Sequence, residues 1–231
     1  MKYNKNIYEA IFVKRPNRFN AEVILNGEHI TVHVPNTGRC RELLIEGATV
    51  FLREELNPNR KTKYDLVAVI KGNNLISIDS QIPNKVVFEA LSDGKIEKLK
   101  KYCNILKEKT FGKSRFDFKL STEEQEEEYF LEVKGVTLEE DGYARFPDAP
   151  TERGARHILE LIEAKREGYK AGILFLIQLE NVNKFSPNDM TDPDFGEALR
   201  LADKNGVDIF AYNCKVDKDG IIINNIVEIV L

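Results

Sequence analysis

A chain of 231 residues with 42% hydrophobic and 31% charged residues has an ordinary globular composition, long enough to bury one large core or two small ones. Its net charge of −4 does not advertise a nucleic-acid binder. Its longest apolar runs, such as AGILFLIQL at 171–179, are far shorter than the ~20 residues of a membrane span.

In chain order, MKYNKNIYEAIFVKRPNRF carries lysines but no continuous apolar region and no small-residue cleavage site, so it predicts no signal peptide. Cys40, Cys103 and Cys214 form no CxxC pair, which argues against a disulfide framework or structural zinc and suits a reducing cytoplasm. The first third then reads as β. FNAEVIL, Asn26-Gly27 and EHITVHV are two alternating runs around a type I′ hairpin turn. ATVFLREE, KYDLVAVI and LISID follow, separated by LNPNRKT and KGNN. Five short strands in about 80 residues predict a small closed or partly open OB-like barrel, and an SH3-like barrel reads much the same.

Charge divides along the chain. Residues 1–82 carry 12 Lys+Arg against 9 Asp+Glu, and the remainder 22 against 29, with five acids in the loop STEEQEEE. The mildly basic first part permits local anion binding. Arg39 and Arg41 in NTGRCREL, with Arg60, Lys61 and Lys63 in NPNRKTK, fall in barrel loops, where OB folds usually bind strands. Tyr64 is the only obvious stacking aromatic there, which favours backbone over base recognition. His29 and His33 share a strand face and read as structural.

The texture changes near SQIPNK at 80–85, dividing the chain into a barrel over 1–82 and a mixed α/β layer domain over 83–231. The next stretch predicts a helix entered through Asn84, with Val86, Val87, Ala90 and Leu91 at helical spacing. Strands at 114–120 and 128–136 and a short one near YARF precede the helix TERGARHILELIEAKREGY. Pro150-Thr151 opens that helix, Ala155, Ile158, Leu159 and Ile162 form its apolar face, and Gly168 closes it. The strand AGILFLIQ, the helix PDFGEALRLADKNG and strands at VDIFAYNCKV and IIINNIVEIV complete the pattern. Arg153, Arg156 and His157 occupy the first turns of a helix, where free backbone N–H groups also attract phosphate.

The pattern [DE]-x-K occurs at 93–95, 117–119, 132–134 and 163–165, so alone it carries no information. Only Glu132-Val133-Lys134 lies in an apolar strand preceded by another strand bearing an aspartate. Strand alternation places Glu132 and Lys134 on one face with Phe130. If 114–120 and 128–136 pair as a hairpin, Asp117 stands beside Glu132. Two facing carboxylates repel, and Mg²⁺ between them would turn that repulsion into a binding site. Asp117 and Glu132 holding the metal, with Lys134 orienting a water and neutralising developing charge, would suit phosphodiester hydrolysis. A polar face of a half-buried sheet fits the same residues.

An aspartate, about 14 residues, then Glu-x-Lys, in a helix–strand–strand–strand–helix–strand order, resembles the PD-(D/E)xK nuclease superfamily. The chain as a whole resembles the sugar fermentation stimulation protein A family. VPNTGRCRELL, RKTKYDLV, SIDSQIPN, SRFDF, EVKGVTL, RFPDAPTERGARH and FGEAL with GVDIFAYNC carry the likeness and span nearly the whole chain. The resemblance implies a DNA-binding protein linked to regulation of sugar metabolism, with an OB-like domain joined to a mixed-sheet, restriction-endonuclease-like α/β domain. It assigns the catalytic set to Asp117, Glu132 and Lys134, adds Glu89 from the leading helix as a third metal ligand, and implies Mg²⁺ or Mn²⁺. Gln178 would stand near the site. Phe116 replaces the motif's proline, at its least strict position. A cytoplasmic protein that binds nucleic acid, DNA rather than RNA, and holds a metal-dependent nuclease site is therefore expected. The rival is a non-catalytic DNA-binding regulator that uses the nuclease fold as a scaffold.

Overall fold

The computed structural model describes residues 1–3 and 5–231. β1 (Ile7–Lys14), β2 (Asn20–Leu25), β3 (Glu28–His33), β4 (Thr49–Glu54), β5 (Tyr64–Lys71) and β6 (Asn74–Ser77) form a sheet in the order β3-β2-β1-β4-β5-β6. Pairing of His33 with Asp65 joins β3 to β5 and closes β1–β5 into the expected OB-like, five-stranded barrel. Asn26 and Gly27 turn β2 into β3 with φ of 52° and 85°, as a type I′ turn requires. The barrel strands differ from the sequence reading at two places. β1 is a barrel wall that the reading passes over, and β6 is a hairpin extension of β5. Only Ala10 and Phe12 of β1 are buried, too few for a clear alternation.

The second part contains α1 (Ile82–Ser92), β7 (Asn104–Phe111), β8 (Ser114–Ser121), β9 (Glu128–Val136), β10 (Leu138–Glu140), β11 (Tyr143–Phe146) and α2 (Glu152–Arg166). β12 (Lys170–Ile177), β13 (Lys184–Pro187), α3 (Pro193–Lys204), β14 (Asp208–Asp217), β15 (Gly220–Ile226) and β16 (Glu228–Ile229) follow. The central sheet runs β15-β14-β12-β9-β8-β7, with β9, β12 and β14 parallel and the outer strands antiparallel. A smaller sheet, β10-β11-β13-β16, flanks it. The unexpected β7 is an edge strand whose side chains are nearly all exposed, so NILKEKTF shows no apolar period.

The parallel strands are covered on both faces, which is why β12 reads as an unbroken apolar run. On one face Phe116, Phe130, Ile173 and Phe175 pack with α2 and α3, and this core continues into the barrel through Val23, Leu52 and Leu66. On the other, Leu131, Val133, Leu174 and Leu176 pack with Ile82, Val86 and Val87 of α1. Each such side chain contributes about 1.5–3 kcal/mol on burial. The buried stripe of α2 is His157, Ile158, Leu161, Ile162 and Ala164. Leu159, expected inside, is exposed.

Capping fixes where the helices begin. Thr151 accepts the Gly154 N–H at 3.0 Å to start α2. Asp192 caps α3 through Phe195 N–H at 3.0 Å, and its other oxygen takes the Thr151 N–H at 2.7 Å, so one carboxylate ties both helix starts together. α1 begins earlier than expected, with Gln81 at the N-cap. Asn84 therefore lies inside the first turn with its amide free for another use.

The barrel is locked onto the sheet by polar contacts at its exit. The Ser77 N–H donates to Gln178 O at 3.0 Å, and Gln178 Nε2 donates to Ser77 O at 2.9 Å. Beside them Arg53 reaches Asp65 at 3.1 Å, Asp79 at 2.9 Å and Glu55 at 2.9 Å. Both aspartates are buried, so this arginine neutralises charges that water cannot reach. No helix among the described residues is long and apolar enough to cross a membrane.

Candidate metal and nucleic-acid site

A cleft of about 520 Å³ opens between the barrel loop at 36–38, the start of α1, β9 and the start of α2. Asp117, Glu132, Lys134, His157, Arg153 and Gln178 all line it. The expected hairpin is what brings the carboxylates together. β8 and β9 pair antiparallel with Phe118 opposite Leu131, a register that sets Asp117 across from Glu132. The ladder ends there, and β8 rolls over. Phe116 packs against Phe111, Phe130 and His157, whereas Phe118 belongs to the opposite core. On β7, Glu108 takes a left-handed φ of 53° at the same level. Asp117 is left at the break, where Oδ2 accepts the Val133 N–H at 2.8 Å and Oδ1 accepts from Asn84 Nδ2 at 2.6 Å.

Glu132 is buried in the wall of the cleft. Its Oε1 accepts from Lys134 Nζ at 2.6 Å and from His157 Nδ1 at 2.6 Å. Its Oε2 is buried and has no partner. Arg153 Nε donates to His157 Nε2 at 3.3 Å, which leaves Nδ1 as the ring nitrogen that donates to Glu132. Burial alone would raise the Glu132 carboxyl, but the hydrogen bonds from His157 and Lys134 outweigh it and hold the group below the ordinary range. Asp117 goes the other way. Burial, then the neighbouring Glu132 charge, push its carboxyl up to about 6. The cleft thus holds two carboxylates that resist being charged together.

Among the described residues no three His, Cys, Asp or Glu side chains cluster as a ready-made metal cage. Glu89, expected as the third ligand, is elsewhere. It lies five residues beyond Asn84, about 140° further round the helix, and pairs with the Met1 ammonium at 2.7 Å. His157 is also corrected. It is buried against Glu132 and is no surface phosphate contact. Arg153 stands on the rim, whereas Arg156 is exposed outside the cleft lining. Gln178 does line the cleft, as a bridge to the barrel. A methyl at Gly135 would come within 2.5 Å of its Oε1, so only glycine permits that approach.

The basic residues of the barrel separate into two groups. Arg60 is bound to Asp65 and lies 3.5 Å from Glu55, and Lys63 pairs with Glu54 at 3.0 Å. With exposed Lys61 they line a depression that also contains Glu54 and Glu55, so their charge is compensated locally. Tyr64 packs edge-on against Tyr8 at 5.5 Å between ring centres. His33 is held by Asp65 at 2.9 Å, the structural role expected of it. Arg39 and Arg41 instead line a separate groove of about 530 Å³ with Arg15 and Arg18. That groove shares Thr37 and Gly38 with the cleft.

Sequence reasoning misses Arg145, Asn84 and Arg18. Arg145 lines the cleft and donates to Ser186 Oγ at 3.1 Å. It lies in the short strand expected near YARF, which carries no signal that it stands beside the site. Asn84 carries a capping signature that conceals its contact with Asp117. Arg18 has no signal beyond its charge.

The model of the Sugar fermentation stimulation protein RE domain matches residues 81–220, and that of the SfsA N-terminal OB domain matches residues 13–78. A Sugar fermentation stimulation protein homolog of Clostridium perfringens strain 13 is 69% identical over 231 residues, covering 100% of both chains. One from Clostridium botulinum strain Loch Maree is 65% identical over 229 residues, 99% of each chain. The structure of Pyrococcus furiosus SfsA in complex with Ca²⁺ matches with a TM-score of 0.90 at 31% identity, covering 100% of this chain and 98% of that one.

Proposed function

The chain belongs to the sugar fermentation stimulation protein family, and from that premise we propose that it binds nucleic acid and hydrolyses phosphodiesters at a divalent-metal centre on Asp117 and Glu132. The observation that carries this reading is the Glu132 Oε2 atom, buried in the cleft wall without a partner while Asp117 stands across the hairpin. An orphaned, charged oxygen in such a place costs stability unless a cation completes it.

Mg²⁺ or Mn²⁺ fits this donor set. Mg²⁺ is commonly held by one or two carboxylates, with water and substrate phosphate filling the remaining positions, so a third protein ligand is not required. The Pyrococcus furiosus relative was solved with Ca²⁺, another hard cation that takes carboxylate oxygens. When bound, the metal would supply a Lewis acid for the phosphate and a water of lowered pKa. The chain's own groups do the rest. His157, set by Arg153, holds Glu132 Oε1 and leaves Oε2 for the ion. Lys134 lines the cleft beside Glu132, where its ammonium can neutralise charge developing on a phosphate oxygen. Arg145 and Arg153 on the rim offer charge to the flanking phosphates.

Titration calorimetry with Mn²⁺ tests the centre without a substrate. Wild type should bind, and Glu132→Gln should lose that binding. Equal Mn²⁺ binding by Glu132→Gln would remove Glu132 from the centre and overturn the reading.

A further inference from the structure

We infer that the groove beside the cleft receives a single-stranded stretch of nucleic acid leading away from the scissile phosphodiester, a proposal that rests on the reading above. Arg18, Arg39 and Arg41 line this groove, are exposed, and form no ion pair among the described residues. In this they differ from Arg53, Arg60 and Lys63 of the same barrel, each neutralised by carboxylates. Among the described residues Glu46 is the one carboxylate in the lining, against Lys14, Arg15, Arg18, Arg39 and Arg41. Net positive charge in a concave surface attracts a polyanion.

The rim is built rigidly. The Arg15 guanidinium donates to the carbonyls of Asn36 at 2.6 Å, Gly38 at 2.7 Å, Arg39 at 2.9 Å and Arg18 at 2.7 Å, stitching the two sides of the groove together. Cys40 is buried with a left-handed φ of 46°, and Arg39 and Arg41 on either side of it are left exposed. The cations are therefore held ready rather than gathered on binding.

The groove leads to the cleft over Gly38. A Cβ there would lie 2.9 Å from Asn36 Oδ1 and 3.1 Å from Asp148 Oδ2, so the loop packs this closely beside Asp148 only because residue 38 has no side chain. A chain occupying both spaces crosses at this point.

The groove lining also contains apolar groups, Phe12, Val13 and Leu44. At the edge of the groove, outside its lining, Phe19 is 48% exposed, and the guanidinium of the lining residue Arg18 stacks 4.8 Å above its ring. A duplex turns its phosphates outward and keeps its base faces stacked inside, so it cannot use an apolar floor or an exposed ring. A single strand can give phosphates to the arginines and base faces to the apolar groups at once.

Fluorescence anisotropy of labelled DNA on the full chain in EDTA tests this apart from metal chemistry. The probes are a single strand, a blunt duplex and a duplex with a single-stranded overhang. Wild type should bind the single strand and the overhang at least about tenfold more tightly than the blunt duplex. The double variant Arg39→Ala/Arg41→Ala should lose that preference, and its salt slope on the single strand should fall by about 1.4 units, about 0.7 per lost contact. Phe19→Ala should weaken the single strand roughly 5- to 100-fold and leave the salt slope unchanged. Blunt duplex binding as tight as single strand, or an equal loss on both in the double variant, would overturn the proposal. Both variants should retain the Mn²⁺-induced melting shift of wild type. Failure of the metal centre is thereby read separately from failure of the groove.

Discussion

Replacing Asp117 with Asn should stabilise the metal-free protein, an unusual result for a change at a half-buried, hydrogen-bonded side chain. The Asp117 carboxyl, ordinarily near 3.8, is pushed up to about 6 by burial and by the Glu132 charge. Ionising it in the folded state at pH 8 therefore costs about 3 kcal/mol at 1.36 kcal/mol per unit, with its hydrogen bonds already included. Asparagine removes that cost but has one acceptor oxygen for two donors, Val133 N–H and Asn84 Nδ2. One unmade bond returns about 1 kcal/mol, leaving a net gain near 2 kcal/mol. In a chain of this size that raises Tm by about 4–8 °C. Metal should reverse the order. Wild type gains about 2.7 kcal/mol at a hundredfold excess of Mn²⁺ over Kd, and Asp117→Asn gains nothing. Calorimetric melts with EDTA and with Mn²⁺ read all four values. An Asp117→Asn protein that melts below wild type in EDTA, with neither protein responding to Mn²⁺, would refute the reasoning.

The pH dependence has a definite sign. The folded state keeps the Asp117 proton up to about 6 and the unfolded chain releases it near 3.8, so metal-free wild type loses stability relative to Asp117→Asn as pH rises through that window. Denaturant melts across the window measure the difference, and a constant one contradicts the repulsion. Lys134→Met should keep the Mn²⁺ melting shift while any phosphodiester cleavage drops by roughly 10²–10³, as for loss of one transition-state donor. Loss of the shift would make Lys134 a structural partner of Glu132 instead. Arg53→Ala leaves buried Asp79 without its cation and should cost about 3 kcal/mol, or about 6–12 °C in Tm. A loss below about 1 kcal/mol would show that the junction does not depend on this ion pair.

How much of this was legible in the sequence depends on how local each signal is. The pairing of Asp117 with Glu132 follows from strand alternation and a hairpin register, both short-range, and the geometry agrees. Helix phase is less local. Whether Glu89 or Asn84 points at the site depends on how α1 seats against the sheet, which the apolar spacing alone does not determine. The His157 position had the same ambiguity, because an imidazole at a helix start reads as exposed until the neighbouring Glu132 is seen. Charge is the least legible property. Arg60 and Arg39 look alike in their loops, yet Arg60 is bound to Asp65 on the next strand and Arg39 faces open space. Strands fail similarly when little of them is buried, as with β1 and β7.

The most direct measurement is cleavage of an end-labelled mixture of single- and double-stranded DNA by the purified full chain, with Mg²⁺ or Mn²⁺ and with EDTA. Wild type should cut only with metal, and Asp117→Ala, purified in parallel, should not cut under any condition. No cleavage by wild type with either metal, or equal cleavage by Asp117→Ala, would contradict a phosphodiesterase centre on this carboxylate pair.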